Sequence, residues 1–182
     1  MIEKIDFTQR TQQKLRYARI HLDELRSMPK SLGRGSEYER AHHEAFLSQL
    51  FGAYGALLIE LNQYLGCGLA ESNISLGKLR NKLKGQCKSS TVLAELHKLS
   101  NDSNSWFCIA KDMRDLSIHV SGIPLAHYAY IGGGGSSGKT QLKHPITMKE
   151  HEHDAFEAFE SWLAKMGKLI NKYRAMALTE AG

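Results

Sequence analysis

The sequence lacks any apolar run long enough to cross a bilayer, which takes about 18 to 20 residues. Its first ten residues, MIEKIDFTQR, contain no apolar core of a secretory signal. Cysteine is scarce, and the three cysteines, at 67, 87 and 108, form no CxxC pair and cannot all be joined in disulfides. These absences predict a cytoplasmic protein in a reducing compartment, with no membrane segment.

What is present is ordinary for a globular protein. Hydrophobic residues make up 42% of the 182 positions and charged residues 24%, which is enough to build a sizeable core. We find no internal repeat. The sequence therefore predicts a single domain over residues 1–182.

The stretch from Glu39 to Leu65 is the strongest helical signal. Leucine and tyrosine recur at the three-then-four spacing of one helix face, and further apolar residues widen this stripe until the middle of the helix is apolar on nearly all sides. Ser36 with Glu39 forms a capping box at its start. Gly52 and Gly55 would let a neighbouring helix approach closely. The pattern predicts a helix inside a bundle.

Five further helices are predicted from apolar spacing and from breakers such as Pro29. They cover about 8–28, 75–83 and 90–99, then a helix that begins near 105 and ends by Gly122 and Pro124, and finally 148–177. Between the last two, residues 121–147 show no helical period and contain a glycine run, so we expect a long flexible loop. Its tyrosine-rich residues 125–131 are a candidate for one short extended piece, which by itself does not make a sheet. The predicted fold is an all-α, up-and-down bundle of four to five main helices with one Gly-rich loop before the last helix.

The net charge of +5 has a single source. Lys78, Arg80, Lys82, Lys84 and Lys88 lie within eleven residues that contain no acid, and the remaining chain carries 19 basic and 19 acidic residues. We call these five residues the basic surface. Such a cluster attracts phosphate, whether of nucleic acid or of another polyanion. A solvated helix face, or a contact for an acidic protein partner, are the alternatives.

Two formal motifs are set aside on chemical grounds. Gly133, Gly138, Lys139 and Thr140 match a phosphate loop, but that loop needs a parallel strand before it and a helix after it. The steps Glu39–His42 and Glu150–His153 match half of a di-iron site, yet they occupy the polar starts of predicted helices. We therefore expect no metal and no cofactor.

The segment Arg114-Asp115-Leu116-Ser117-Ile118-His119 is the remaining candidate site. A five-residue step on an unbroken helix separates two side chains by about 140°. Arg114 and His119 would therefore converge only if the helix ends there, or across a second subunit. The alternative is an arginine that interacts favourably with a helix C-terminus, followed by an unremarkable histidine.

These six residues, in an all-α chain of this size, resemble the signature of the HEPN superfamily. Residues 11–19 are also similar to bacterial helical-bundle proteins without an assigned activity. The HEPN resemblance implies a metal-independent ribonuclease that works as a dimer. It implies His119 as general base for the 2′-hydroxyl, Arg114 as the group that stabilises phosphate charge, and Asp115 as the residue that orients its neighbours.

The sequence thus leads to two main functional hypotheses. The first is a HEPN-like RNA-binding homodimer with endoribonuclease activity. The second is a non-catalytic bundle that binds a protein partner through the same surface. A metal-binding bundle is the remaining alternative.

Overall fold

The computed structural model describes residues 7–29, 36–119, 125–130, 137–143 and 150–181. Six α-helices lie within these ranges: α1 (Phe7–Ser27), α2 (Glu37–Tyr64), α3 (Leu76–Gly85), α4 (Thr91–Asn101), α5 (Trp106–His119) and α6 (Ala155–Ala181). A single 3-10 turn, Glu71–Asn73, precedes α3. The predicted all-α bundle is confirmed.

Helices α1 and α2 form an antiparallel hairpin. The hydroxyl of Thr11, near the start of α1, donates to Glu60 near the end of α2. At the other end of the hairpin, Tyr38 donates to Glu24 at 2.9 Å. The end of α1 therefore lies beside the start of α2.

Helix α6 runs parallel to α2, because Phe159 packs on Phe46 and Arg174 binds Glu60. Helix α4 runs the opposite way along α6, since its N-cap Ser90 bonds Glu180 at the end of α6. Helix α5 continues from α4, and the Ser105 hydroxyl at their junction donates to a backbone carbonyl of α4. The result is the up-and-down order expected of a bundle.

Helix α2 is the centre of the core, as its sequence predicts. Buried apolar side chains from all six helices join it in one cluster among the described residues. A β-carbon added at Gly52 would lie 3.2 Å from the Lys14 side chain, so α1 does approach α2 closely there. At Gly55 such an atom would meet nothing within 4 Å. Only the first of these two glycines is explained by close helix packing.

A small antiparallel sheet adds to the bundle and was not predicted. It consists of β1 (Leu125–Tyr130), β2 (Ser137–Lys143) and β3 (Glu150–Asp154), in the order β1-β2-β3. Two strands thus lie where the sequence suggested one long loop, and most of the glycine run lies outside the described residues. The side chain of Leu142 anchors β2 in the core.

The last helix begins later than its predicted start at Met148. The Asp154 carboxylate accepts a hydrogen bond from the Phe156 backbone N–H at 2.8 Å, which caps α6 at Ala155. The preceding residues, Glu150 to Asp154, pair with β2 instead of entering the helix. Within the described part of the chain, no helix has the length and apolarity needed to cross a membrane.

Candidate functional site

The basic surface lies on α3 and the turn that follows it. Leu79 and Leu83 are buried, which fixes one face of this short helix against the core. Lys78, Lys82 and Lys84 are exposed on the rest of α3, and Lys88 is exposed after it. Arg80 is half-buried. Within the described ranges, none of the five forms an ion pair with a carboxylate.

The sequence folds in this way because Ser75 starts α3 as an N-cap. Its hydroxyl accepts from the Lys78 backbone N–H at 3.3 Å. After α3 the chain turns at Cys87, whose φ of 56° lies in the left-handed region. Burial raises the pKa of Cys67, which lies in the core just after α2, while the charges of Lys82 and Lys88 oppose that rise. The charges of both lysines therefore act on the residue that follows the end of α2.

Arg114 and Asp115 are brought together on α5. The Asp115 carboxylate accepts from Nε of Arg114 at 2.9 Å and from Nζ of Lys111 at 3.0 Å. The guanidinium of Arg114 lies 4.9 Å from the centre of the Phe51 ring on α2. Its side chain is 28% exposed, so the cation is held in place and still reaches solvent.

The electrostatics of this group keep Asp115 ionised. Partial burial by itself would raise the pKa of the carboxyl group. The hydrogen bonds from Arg114 and Lys111, together with their charges, outweigh that effect and lower the pKa below its usual value. Asp115 therefore holds Arg114 as a carboxylate throughout the physiological range.

His119 is the last residue of α5, and its side chain lies outside the described residues. Because the helix is unbroken from Arg114 to His119, the two positions are about 140° apart around its axis. A single α5 helix therefore does not present both on one face. A shared site would need either a departure from helical geometry at His119, where α5 ends, or a second copy of the chain.

The basic surface and Arg114 lie at different levels of the bundle. Leu83 and Lys88 line one cleft with Leu65 at the end of α2, whereas Arg114 lies over Phe51. Fourteen residues of helix separate Phe51 from Leu65, which corresponds to about 21 Å along α2. Helix α5 runs away from the basic surface, so His119 lies farther from it still.

Three of the four formal phosphate-loop residues lie in a strand, and Gly133 lies outside the described residues. Gly138, Lys139 and Thr140 belong to β2 and pair antiparallel with Ala129, Tyr128 and His127. No helix follows Thr140 directly, because β2 continues to Lys143. The backbone is thus not arranged to direct helix N-terminal amides at a phosphate.

The two Glu-x-x-His steps do not share a helical setting. Glu39 and His42 lie in the first turns of α2, as expected, but Glu150 and His153 lie in β3, so the prediction that they begin a helix is wrong. A strand places alternate residues on opposite faces and cannot present an i, i+3 pair to a bundle interior. Among the described residues, no group of three or more His, Cys, Asp or Glu side chains could hold a metal ion.

A buried ion pair was missed by the sequence analysis. Arg174 donates from Nε to Glu60 at 2.7 Å and from Nη2 at 2.9 Å, and the Thr11 hydroxyl donates to the same carboxylate. The Glu60 side chain is 2% exposed and that of Arg174 is 16% exposed. The acid Glu60 inside the apolar stripe of α2 indicated that a basic partner exists. The sequence did not show that this partner is Arg174, 114 residues later.

A histidine pair between α1 and α2 was missed as well. Nδ1 of His21 lies 3.3 Å from Nδ1 of His42, and the Tyr38 ring packs on His42 at 4.4 Å. Burial lowers the pKa of His21, the charge of His42 lowers it further, and Glu24 opposes both effects. In the folded protein, His21 is therefore held neutral to a lower pH than in the unfolded chain.

This pair predicts a loss of stability in acid. Because the pKa of His21 is lower in the folded state, the unfolded chain binds more protons below about pH 6.5, and stability falls as the pH decreases through that value. His21→Gln should show a smaller decrease in melting temperature between about pH 7.5 and pH 5.5 than the parent protein. His97→Gln, which changes a half-buried histidine on α4, should retain the full decrease. Equal pH dependence in all three proteins would contradict this assignment.

No family model, curated protein or solved structure matches this chain. The HEPN resemblance therefore rests on Arg114, Asp115 and His119 in a helical bundle. What it implies about activity stays a prediction.

Proposed function

We propose that this protein is a HEPN-like helical bundle that binds RNA through the basic surface. The observation that carries the proposal is the set of cations on and after α3 that face solvent without a carboxylate partner among the described residues. Cations that are already paired contribute less to phosphate binding, because the pairing must first be broken. Unpaired surface cations release the counterions of RNA when they bind its phosphates, and this release drives association.

Cleavage is the second part of the proposal, and it requires two copies of the chain. His119 of one copy takes the proton of the 2′-hydroxyl, and the 2′-oxygen attacks the adjacent phosphorus. The bond from phosphorus to the 5′-oxygen of the next nucleotide breaks, which leaves a 2′,3′-cyclic phosphate, and the departing 5′-oxygen takes a proton from water. Arg114 of the other copy stabilises the negative charge that develops on the phosphate oxygens. The guanidinium is suited to this role because Asp115 and the Phe51 ring restrict its orientation while it remains partly exposed.

The separation of the two sites sets a length for the RNA. Phe51, which lies under Arg114, and Leu65, which lines the cleft with Lys88, are about 21 Å apart along α2. At about 3.4 Å per nucleotide, as in one strand of a duplex, this distance corresponds to roughly six nucleotides. An RNA segment of that length would contact both sites on one protomer.

One observation favours a non-catalytic bundle as the second candidate. Arg114 is bonded to Asp115 on its own helix and stacked on Phe51 of the neighbouring helix. The same contacts would serve to fasten α5 to α2. In that case the basic surface binds its partner without any chemistry at Arg114.

Binding is tested with a pair of variants that change net charge equally. Lys82→Ala/Lys84→Ala should weaken the binding of a short single-stranded RNA about 10- to 100-fold, which corresponds to roughly 0.7–1.4 kcal/mol per lysine. Lys165→Ala/Lys168→Ala, which removes two exposed lysines from α6, should leave the affinity nearly unchanged. Fluorescence anisotropy with labelled RNA measures both. Equal losses in the two variants would mean that net charge alone, and not the basic surface, attracts RNA.

Cleavage is tested by incubating the protein with total RNA in the presence and absence of a chelator. We expect the same cleavage in both, and a decrease of about 10²- to 10⁴-fold in His119→Ala. His97→Ala on α4 serves as the control and should cleave like the parent protein. Intact RNA in every lane would exclude the enzyme and leave the non-catalytic candidate.

A further inference from the structure

A cleft opens beside the basic surface at the end of the bundle where α2 and α6 terminate. Its volume is about 410 Å³, and Tyr64, Gly66, Leu83, Lys88 and Glu180 are among the residues that line it. This volume falls within the range of small-molecule sites, which is roughly 300–1,000 Å³. The cleft and the basic surface share Lys88, so a ligand can occupy both at once.

The walls of the cleft differ in chemistry. Tyr64 and Leu83 provide an aromatic ring and an apolar side chain. Glu180 provides a carboxylate, which is fixed in place because it accepts from the Ser90 hydroxyl at 2.6 Å and from the Val92 backbone N–H at 3.2 Å. A phosphate inside the cleft would be repelled by this carboxylate, whereas an uncharged ring would not.

The positive charge is concentrated at the rim. Lys88 lines the cleft, and Lys82 lies close enough to the end of α2 for both charges to act on Cys67. The rim is positively charged, whereas the interior favours an uncharged ring. A polyanion with flat uncharged side groups fits both parts, because its phosphates can bind at the rim while one side group enters the cleft. Single-stranded nucleic acid has this chemistry.

We propose that the cleft binds one unpaired base of single-stranded RNA, with the Tyr64 ring as the stacking surface and the lysines of the basic surface on the adjacent phosphates. This inference rests on the proposed RNA-binding function and makes it more specific. A paired base is unavailable for insertion, so the protein should prefer single strands to duplexes. Stacking of one base on an aromatic side chain corresponds to an affinity change of about 5- to 150-fold on removal of the ring.

The test compares three variants by fluorescence anisotropy with a labelled single-stranded RNA and with the same RNA annealed to its complement. Tyr64→Ala should weaken single-strand binding about 5- to 150-fold and duplex binding little. Tyr64→Phe, which keeps the ring, should bind like the parent protein. Ser89→Trp, at an exposed position in the cleft wall, should weaken single-strand binding by filling the cleft without disturbing the core.

The outcomes separate the cleft from the basic surface. Unchanged single-strand binding in Tyr64→Ala and Ser89→Trp, together with a loss in Lys82→Ala/Lys84→Ala, would overturn the base site and leave the phosphate contacts. Equal affinity of the parent protein for single strands and duplexes would overturn it as well. Should Tyr64→Ala fail to fold, as judged by circular dichroism, Ser89→Trp decides the question. Absence of RNA binding by the parent protein would contradict the proposed function itself.

Discussion

Replacing Glu60 by alanine is expected to lower the free energy of unfolding by about 3–5 kcal/mol. The change leaves the Arg174 guanidinium without its bidentate carboxylate in a position where only 16% of the side chain is exposed. A cation left in such a site retains its desolvation cost and loses the attraction that offset it. For a domain of this size the melting temperature should fall by about 6–20 °C.

Two control variants show whether the loss of stability in Glu60→Ala comes from the broken ion pair or from the lost packing. Glu60→Leu/Arg174→Met removes both charges and keeps apolar volume, so its stability should lie near that of the parent protein. The Thr11 hydroxyl retains its bond to the Phe7 carbonyl in this variant. Lys172→Ala breaks the exposed pair with Glu95 and should change the melting temperature far less. A double variant as unstable as Glu60→Ala would contradict the electrostatic explanation.

Phe159→Ala should also cost about 3–5 kcal/mol of unfolding free energy. The Phe159 ring is completely buried between α2 and α6, with ring centres of His43, Phe46 and Trp162 within 5.0–5.5 Å. Removal leaves a cavity that these large rings cannot easily close. Chemical denaturation followed by circular dichroism measures the loss.

The matched control for this change is Phe156→Ala in the first turn of α6. Phe156 is half-buried, and its ring lies under the Arg26 guanidinium at 4.7 Å near the protein surface. Solvent can reach the space that the substitution opens, so the cost should be clearly smaller. Equal costs for the two variants would mean that Phe159 is not part of the main core.

The helices could be predicted from sequence because each carries its own signal. The stripe of α2 and the predicted cap at Ser36 are local features, and the structure has that cap. Serines also cap α3 and α4, at Ser75 and Ser90, where the sequence predicted only approximate helix starts. The sheet has no such signal. Its third strand, Glu150–Asp154, consists entirely of polar residues, so it shows no alternation of apolar and polar side chains. It is a strand because it pairs with β2, and its own sequence does not predict that pairing.

The candidate site was predictable only in part, for a similar reason. The link between Arg114 and Asp115 is local, and the sequence placed the two side by side. The partner of Glu60 lies on another helix, as does the partner of His21, and spacing along the chain carries no information on such contacts. The cleft at Tyr64 and Glu180 combines the ends of two helices that are distant in sequence, so only the fold could assemble it.

The salt dependence of RNA binding tests the central claim most directly. If all five cations of the basic surface contact phosphates of a single strand, the logarithm of the affinity should fall with the logarithm of salt concentration with a slope of about −3.5. In Lys82→Ala/Lys84→Ala the slope should become shallower by about 1.4, and in Lys165→Ala/Lys168→Ala it should not change. A slope near zero, or one that the Lys82 and Lys84 changes leave unaltered, would contradict the account.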